Sequence, residues 1–258
     1  MKMGKAGRWL ILLTAVALTG CAMPPVQTAG SAEIPTEVLE ALDEDVLQTL
    51  VEAPKYVALT FDDGPRADTT ALLLNGLKER GVPATFFVVG EQVAGNEGLI
   101  RRMKEEGHQI GNHTYSHVRL TKAEKETLIE EIHKTEVLLS EIVGQGSFWL
   151  RPPYGRITAA QTGQIHTPMI YWTLDPQDWK LLDAEKVTEC VIGQVQPGDI
   201  ILLHDFYPSS VDAALEIIDR LQAEGYAFVT VEELFRIQGI TPEAGVLYAS
   251  PEKIRCPE

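Results

Sequence analysis

From residue 55 to residue 237, short apolar runs alternate with amphipathic stretches. Tyr56-Val57-Ala58-Leu59 is a continuous β-prone run, as a strand buried on both faces requires. Residues 84–89, 108–112, 147–150, 169–173, 200–203 and 228–230 read the same way. Between them, helical spacing covers 69–80, then a segment that Asn96 would cap and Gly107 would stop. A long amphipathic stretch follows over 120–143, with Thr121 as cap and Gly144 as its end. Further helical segments are predicted over 158–165, 184–195, 211–224 and 231–235. Strands separated by helices call for a parallel sheet. Seven strands in about 180 residues fall short of an eight-fold barrel, which takes about 250. The expected α/β fold is therefore a shortened, distorted (β/α)7 barrel spanning 54–238, with an open doubly wound sheet as the alternative. Residues 239–258 have no periodicity and are expected to wrap the surface as a tail.

The first residues follow a different pattern. Lys2, Lys5 and Arg8 precede an apolar run from Trp9 to Leu18, too short for a comfortable span of about 20 residues, so a signal peptide over 1–20 is expected. Leu18-Thr19-Gly20-Cys21 resembles the lipobox of bacterial lipoproteins. The resemblance implies cleavage before Cys21 and lipidation of its thiol; the alternative is an ordinary leader with a coincidental cysteine. Acyl chains on one residue would hold the protein to a bilayer without a spanning segment. Residues 21–53 read as a tether with one short helix over 36–50. The expectation is an exported, membrane-anchored monomer on the extracytoplasmic face.

The charge narrows the partners. With 22 basic and 37 acidic residues the formal net charge is −15, and loss of the leader would make the chain more acidic. That argues against nucleic acid, anionic lipids and anionic polymers as electrostatic partners, and leaves a neutral or locally cationic glycan. Besides Cys21, only Cys190 and Cys256 are present. They could pair, but two cysteines do not make a disulfide scaffold. Cys190 lies in a helical pattern and reads as a small buried residue.

Polar clusters fall at strand ends, where ligands bind in α/β folds. The first is Asp62-Asp63, followed at once by Gly64-Pro65. Adjacent acids push each other's pKa values apart; with a cation beside them, one can be a ligand and the other a base, and without it the segment is a turn. His113 and His117 are four apart, which would put both imidazoles on one face of a helical turn. With a carboxylate from the first strand they would close on a metal, leaving positions for water and substrate. In Arg151-Pro152-Pro153-Tyr154-Gly155 the prolines stiffen the loop and aim the arginine at a carboxylate. Asp175-Pro176-Gln177-Asp178-Trp179 and Leu202-Leu203-His204-Asp205 offer an acid–histidine pair; alone, Asp178 could be a solvated loop acid and His204 a structural histidine.

Taken in order, these five clusters resemble the motifs of the NodB-homology polysaccharide deacetylases, carbohydrate esterase family four, over residues 55–237. The resemblance implies a distorted (β/α)7 barrel in which Asp63, His113 and His117 bind a divalent metal, usually zinc, with cobalt or nickel as alternatives. It implies Asp62 as general base held by Arg151, and His204 as general acid oriented by Asp178. Trp179 and Leu202 would line a pocket for the acetyl methyl, and Tyr154 would offer its backbone N–H to the oxyanion. The leading expectation is removal of N-acetyl groups from N-acetylglucosamine residues of a cell-wall glycan, peptidoglycan first. An O-acetyl esterase on xylan and a chitooligosaccharide deacetylase are the close alternatives. An iron oxygenase fits the two-His, one-carboxylate set but has no use for a dedicated base and acid. A metal- or glycan-binding lipoprotein is the non-enzymatic alternative. His166, Tyr171 and Tyr207 could be subsite walls or plain packing.

Overall fold

The computed structural model describes residues 54–258; the leader, Cys21 and the tether lie outside them. The centre of the fold is strand β1 (Lys55–Asp62), flanked in parallel by β2 (Thr85–Val88) and β5 (Ile200–His204), with β3 (Gln109–Asn112) outside β2. Strand β6 (Tyr226–Phe228) lies along the first residues of β1, from Lys55↔Tyr226 to Val57↔Phe228. The order β3-β2-β1-β5 is an open sheet by its regular ladders. Single parallel bridges carry it round: Asn112↔Leu150, Leu150↔Met169 and Leu174↔Ile201. The segment that begins with β4 (Met169–Ile170) thus faces Leu150 at one end and β5 at the other, giving a distorted barrel. The strand expected over 147–150 shrinks to the one bridging residue Leu150, and Pro152 and Pro153, which have no N–H, could not extend a ladder past Arg151.

Eight helices pack around the strands among the described residues: α1 (Thr69–Arg80), α2 (Glu97–Glu105), α3 (Lys125–Val143), α4 (Ala159–Thr162), α5 (Asp178–Leu181), α6 (Ala184–Ile192), α7 (Pro208–Ala223) and α8 (Val231–Ile237). None is long and apolar enough to cross a membrane. The two-residue period of β1 divides the interior. Val57, Leu59 and Phe61 join the core that includes Leu73, Leu74 and Leu77 of α1 and Ile217, Ile218 and Leu221 of α7. Ala58 belongs to a second core with Phe87, Trp149, Ile170 and Phe235. Thr60 and Asp62, on the same side as Ala58, meet the guanidinium of the fully buried Arg151.

Several local expectations need correction. Helix α3 starts at Lys125, not near residue 120; Leu120–Lys122 is a separate 3₁₀ turn and Thr121 caps nothing. The Gln161 side-chain amide donates to the carbonyls of Leu120 and Ala123, oxygens that a helix begun at 120 would use for its own N–H groups. Asn96 precedes α2 but its amide donates back to the Gln92 carbonyl instead of capping. Helix α5 occupies what read as loop, entered and left through left-handed residues Gln177 and Leu182. The tail is structured: β7 (Leu247–Ser250) extends β4 in parallel, β8 (Lys253–Ile254) folds back on β7, and Leu247 and Tyr248 are buried. Cys190 is half-buried, Cys256 is exposed, and both are free.

Candidate active site

The polar clusters meet at the C-terminal rim of the strands. Asp62 closes β1 opposite His204 of β5; the next residue, Asp63, turns sharply with φ 75°. The Gly64–Pro65 peptide is cis. A Cβ on Gly64 would run into the Asp205 carboxylate, so glycine is what lets β5 close against this turn.

His113 and His117 do not share a helical turn. Thr114 and His117 are both left-handed, with φ 65° and 55°, and the loop is tied down by side chains. Asn112 Oδ1 accepts from the Thr114 N–H at 2.8 Å. The Glu131 carboxylate accepts from the N–H groups of Tyr115 and Ser116 and from the Ser116 hydroxyl. The imidazoles still converge, 5.0 Å between centroids. His113 Nδ1–H donates to the Arg151 carbonyl at 2.6 Å, which turns Nε2 to within 3.6 Å of Asp63 Oδ1. His117 Nε2 is 3.3 Å from the same oxygen.

Three ligand atoms from Asp63, His113 and His117 lie within 4.8 Å of one another. Asp63 Oδ1 is buried with no hydrogen-bond partner, an arrangement that costs free energy unless something else satisfies it. Burial, then the neighbouring His113, holds the His117 pKa below its ordinary value, favouring a free lone pair. A carboxylate oxygen left without a partner and two imidazole nitrogens converging on it fit a divalent cation of zinc type. The Arg151 carbonyl on His113 is the outer partner such ligands commonly have.

Asp62 is buried beside this triad. Its Oδ1 accepts from the Arg151 guanidinium at 2.8 Å and its Oδ2 is 3.5 Å from His113 Nε2. Burial alone would raise the Asp62 pKa; Arg151, aided by His113 and His204, reverses this and holds it below the ordinary carboxylate value. The arginine is fixed in turn by Thr60 Oγ1 and by the Ile170 and Tyr171 carbonyls, and it stacks over Phe87 at 4.1 Å.

His204 has the opposite bias. Both oxygens of the fully buried Asp178 engage it: Oδ1 lies 2.8 Å from Nδ1, and Oδ2 accepts the backbone N–H at 2.8 Å. Burial pulls the imidazole pKa down, but Asp178, with Asp62 and Asp63, pushes it up to about 9. Asp178 is thus no solvated loop acid; it starts α5 and is packed under the histidine.

A cavity of about 480 Å³ joins these groups. Asp62, Asp63, His113, His117, Tyr154, Trp179, Leu202 and His204 all line it, while Arg151 and Asp178 lie beneath Asp62 and His204. Leu202 is buried, and Trp179 and Tyr154 are about half exposed. Tyr154 is left-handed (φ 62°); the N–H groups of Gly155 and Arg156 donate to Pro152 and Pro153, whereas that of Tyr154 has no backbone acceptor. Tyr207 also lines the cavity, Tyr171 stacks on Trp172 behind it, and His166 lines a different cavity. Sequence reading missed Arg119, Arg156 and Trp172 in the lining and Glu131 behind the histidine loop, and named Asp175 only as part of its cluster, without a role. Arg156 directly follows Gly155 and Arg119 lies two residues beyond His117, and that proximity to the motifs was the available signal.

Residues 51–166 match the family model described as "Polysaccharide deacetylase". The chain is 39% identical over 181 residues to peptidoglycan-N-acetylglucosamine deacetylase PgdA of Listeria monocytogenes, covering 70% of this chain and 39% of that protein. It therefore spans about two fifths of that relative's length. A peptidoglycan-N-acetylglucosamine deacetylase of Bacillus cereus is 39% identical over 187 residues, covering 70% of this chain and 68% of the relative. A family 4 acetyl xylan esterase from Clostridium thermocellum, solved with a cobalt ion, superposes with a TM-score of 0.74 at 34% identity, covering 77% of this chain and all of that one. On the relatives' identity and coverage, and on the strand-end clusters that the fold brings together, this chain belongs to the polysaccharide deacetylase family.

Proposed function

We propose that the chain removes N-acetyl groups from N-acetylglucosamine residues of a cell-wall glycan, peptidoglycan first, by metal-assisted hydrolysis. The observation that carries the reading is the opposed bias of two groups on one cavity, Asp62 held ionised by Arg151 and His204 held protonated by Asp178. Splitting a general base from a general acid in this way is what amide hydrolysis near neutral pH needs.

Asp63, His113 and His117 would hold the divalent cation, zinc or else cobalt or nickel. Bound there, it would supply Lewis-acid polarisation of the acetyl carbonyl and a more acidic water. Asp62 accepts the proton from the attacking water; the Arg151 pair keeps the carboxylate ionised and aimed into the cavity. The Tyr154 N–H donates to the oxygen on which negative charge grows. His204 gives its proton to the leaving nitrogen, and Asp178 holds the ring for that transfer. Trp179 and Leu202 form an apolar wall for the acetyl methyl. The named activities of the Listeria and Bacillus relatives support the glycan, and we place Cys21 as the lipid anchor on the strength of the leader pattern.

A second reading, removal of O-acetyl groups from xylan, is supported by the likeness to the acetyl xylan esterase. Acetate release from peptidoglycan, chitooligosaccharides and acetylxylan, with chelator and metal add-back, tests both. Release from the two N-acetylated substrates that stops on chelation and returns with metal is expected; release from acetylxylan alone would favour the second reading, and release from none would remove the enzymatic one.

A further inference from the structure

Two arginines line the cavity without a part in the proposed reaction. Arg119 lies two residues beyond His117, and its guanidinium is 4.9 Å from the centre of the Tyr154 ring. Arg156 follows Tyr154-Gly155, and its Nε is 3.2 Å from the Glu258 carboxylate, with both side chains about half exposed. Tyr154 in turn lies edge-on to His117, at 4.8 Å between centroids. The cations thus collect on the Tyr154 edge, beside the histidines, and one already holds a carboxylate. The edge is built from close-packed parts: Gly155 is left-handed, and a Cβ there would strike the Tyr171 ring, which stacks on Trp172. Asp175, the remaining acid of the lining, belongs to the other side, where Asp178, His204 and Asp62 are the charges that weigh most on it.

This placement runs against the chain's composition. With 37 acidic and 22 basic residues, two guanidinium groups on one edge of a cavity, Arg119 over the Tyr154 ring and Arg156 paired only with the half-exposed Glu258, point to a negatively charged ligand. Surface acids farther off than about 8 Å are screened at physiological salt, so at contact range the local cations decide. A guanidinium presents a planar fork that matches a carboxylate. We propose that the cleft takes a glycan bearing a carboxylate next to the N-acetylated sugar, with Arg119 and Arg156 as specificity-determining contacts. A neutral oligomer or a plain acetylxylan leaves Arg119 unanswered and Arg156 with only its surface pairing to Glu258. The inference rests on the deacetylase reading for the fate of that glycan but not for its binding, and it reverses the expectation drawn from net charge alone.

Binding can be measured without turnover on the metal-loaded full chain carrying Asp62→Asn. The ligands are a neutral chitooligosaccharide, peptidoglycan fragments with free peptide carboxylates, the same fragments after amidation, and an alternating N-acetylglucosamine–glucuronate polymer. Free fragments should bind more tightly than amidated ones by about tenfold at low salt, with about threefold from each arginine, and the gap should narrow as salt rises. Arg119→Gln with Arg156→Gln should abolish that ratio, and the paired Lys variants should keep part of it, separating lost charge from lost folding. Tight binding of the glucuronate polymer would extend the site to any neighbouring carboxylate; weak binding would assign it to the peptide-bearing glycan. Equal affinity for free and amidated fragments, an unchanged ratio in the Gln pair, or no binding of any carboxylate-bearing glycan would overturn the proposal. Acetate release by the wild-type chain tests the deacetylase reading separately.

Discussion

Asp62 and Asp63 share a peptide bond but not an environment. Asp62 is sealed in the barrel against Arg151, while Asp63 turns outward at a left-handed residue with one oxygen unpartnered between two imidazoles. His204 is tuned the other way, and the sign of its shift sets a pH window. Its pKa, raised from 6.5 to about 9, makes the protonated form stabilising; that contribution is whole below 6.5 and is lost as pH rises through about 9. Deacetylation that needs a protonated His204 should fall over the same upper limb. Asp178→Asn removes the main cause, so the alkaline limb of the pH–rate profile should move from near 9 toward 6.5, while the acid limb, set by Asp62, stays. An unmoved alkaline limb would assign that limb to another group. At this scale the residue types were legible, because paired acids, paired histidines and a proline-stiffened arginine are unusual at strand ends. The left-handed turns at Thr114 and His117 were not: threonine is β-branched and seldom adopts one, and histidine, though enriched there, does not announce it by itself.

Among the elements, the histidine loop depends on α3. Glu131 projects from that helix and gathers two N–H groups and a hydroxyl from Tyr115 and Ser116. A helical turn through 113–117 would have needed no such support; the observed loop does. Glu131→Gln keeps the shape but weakens the acceptors, and metal affinity should drop about 10-fold or more, within the range seen for outer partners of metal ligands. Titration of metal into the stripped variant checks this, and an affinity equal to wild type would show that the loop holds itself. The regular strands and long helices were legible from periodicity, which is why α1 is found where expected, at Thr69–Arg80. Helix α5 and strand β7 were not: α5 is one turn long, and β7 is four residues, too short for a period to emerge. The start of α3 was not legible because the Gln161 amide, 41 residues along the chain, claims the Leu120 carbonyl.

For the whole molecule, residues 54–258 supply the barrel and its site, and the leader pattern supplies the proposed address. If Cys21 carries the anchor, Cys21→Ala should move the protein from the membrane fraction to the soluble exported fraction and leave acetate release by the purified chain unchanged; a variant that stays with the membrane would separate anchoring from that residue. The net charge of −15 was a fair guide to the surface and a poor one to the cleft, where Arg119 and Arg156 stand. The central claim, that Asp62 is the base beside a metal it does not bind, has one direct test. Acetate release from peptidoglycan and bound metal are measured together on wild-type and Asp62→Asn protein, each stripped and then reloaded. The account predicts that both retain the metal and that the variant loses about 10²–10⁴-fold in rate. A loaded variant that turns over like wild type would contradict it.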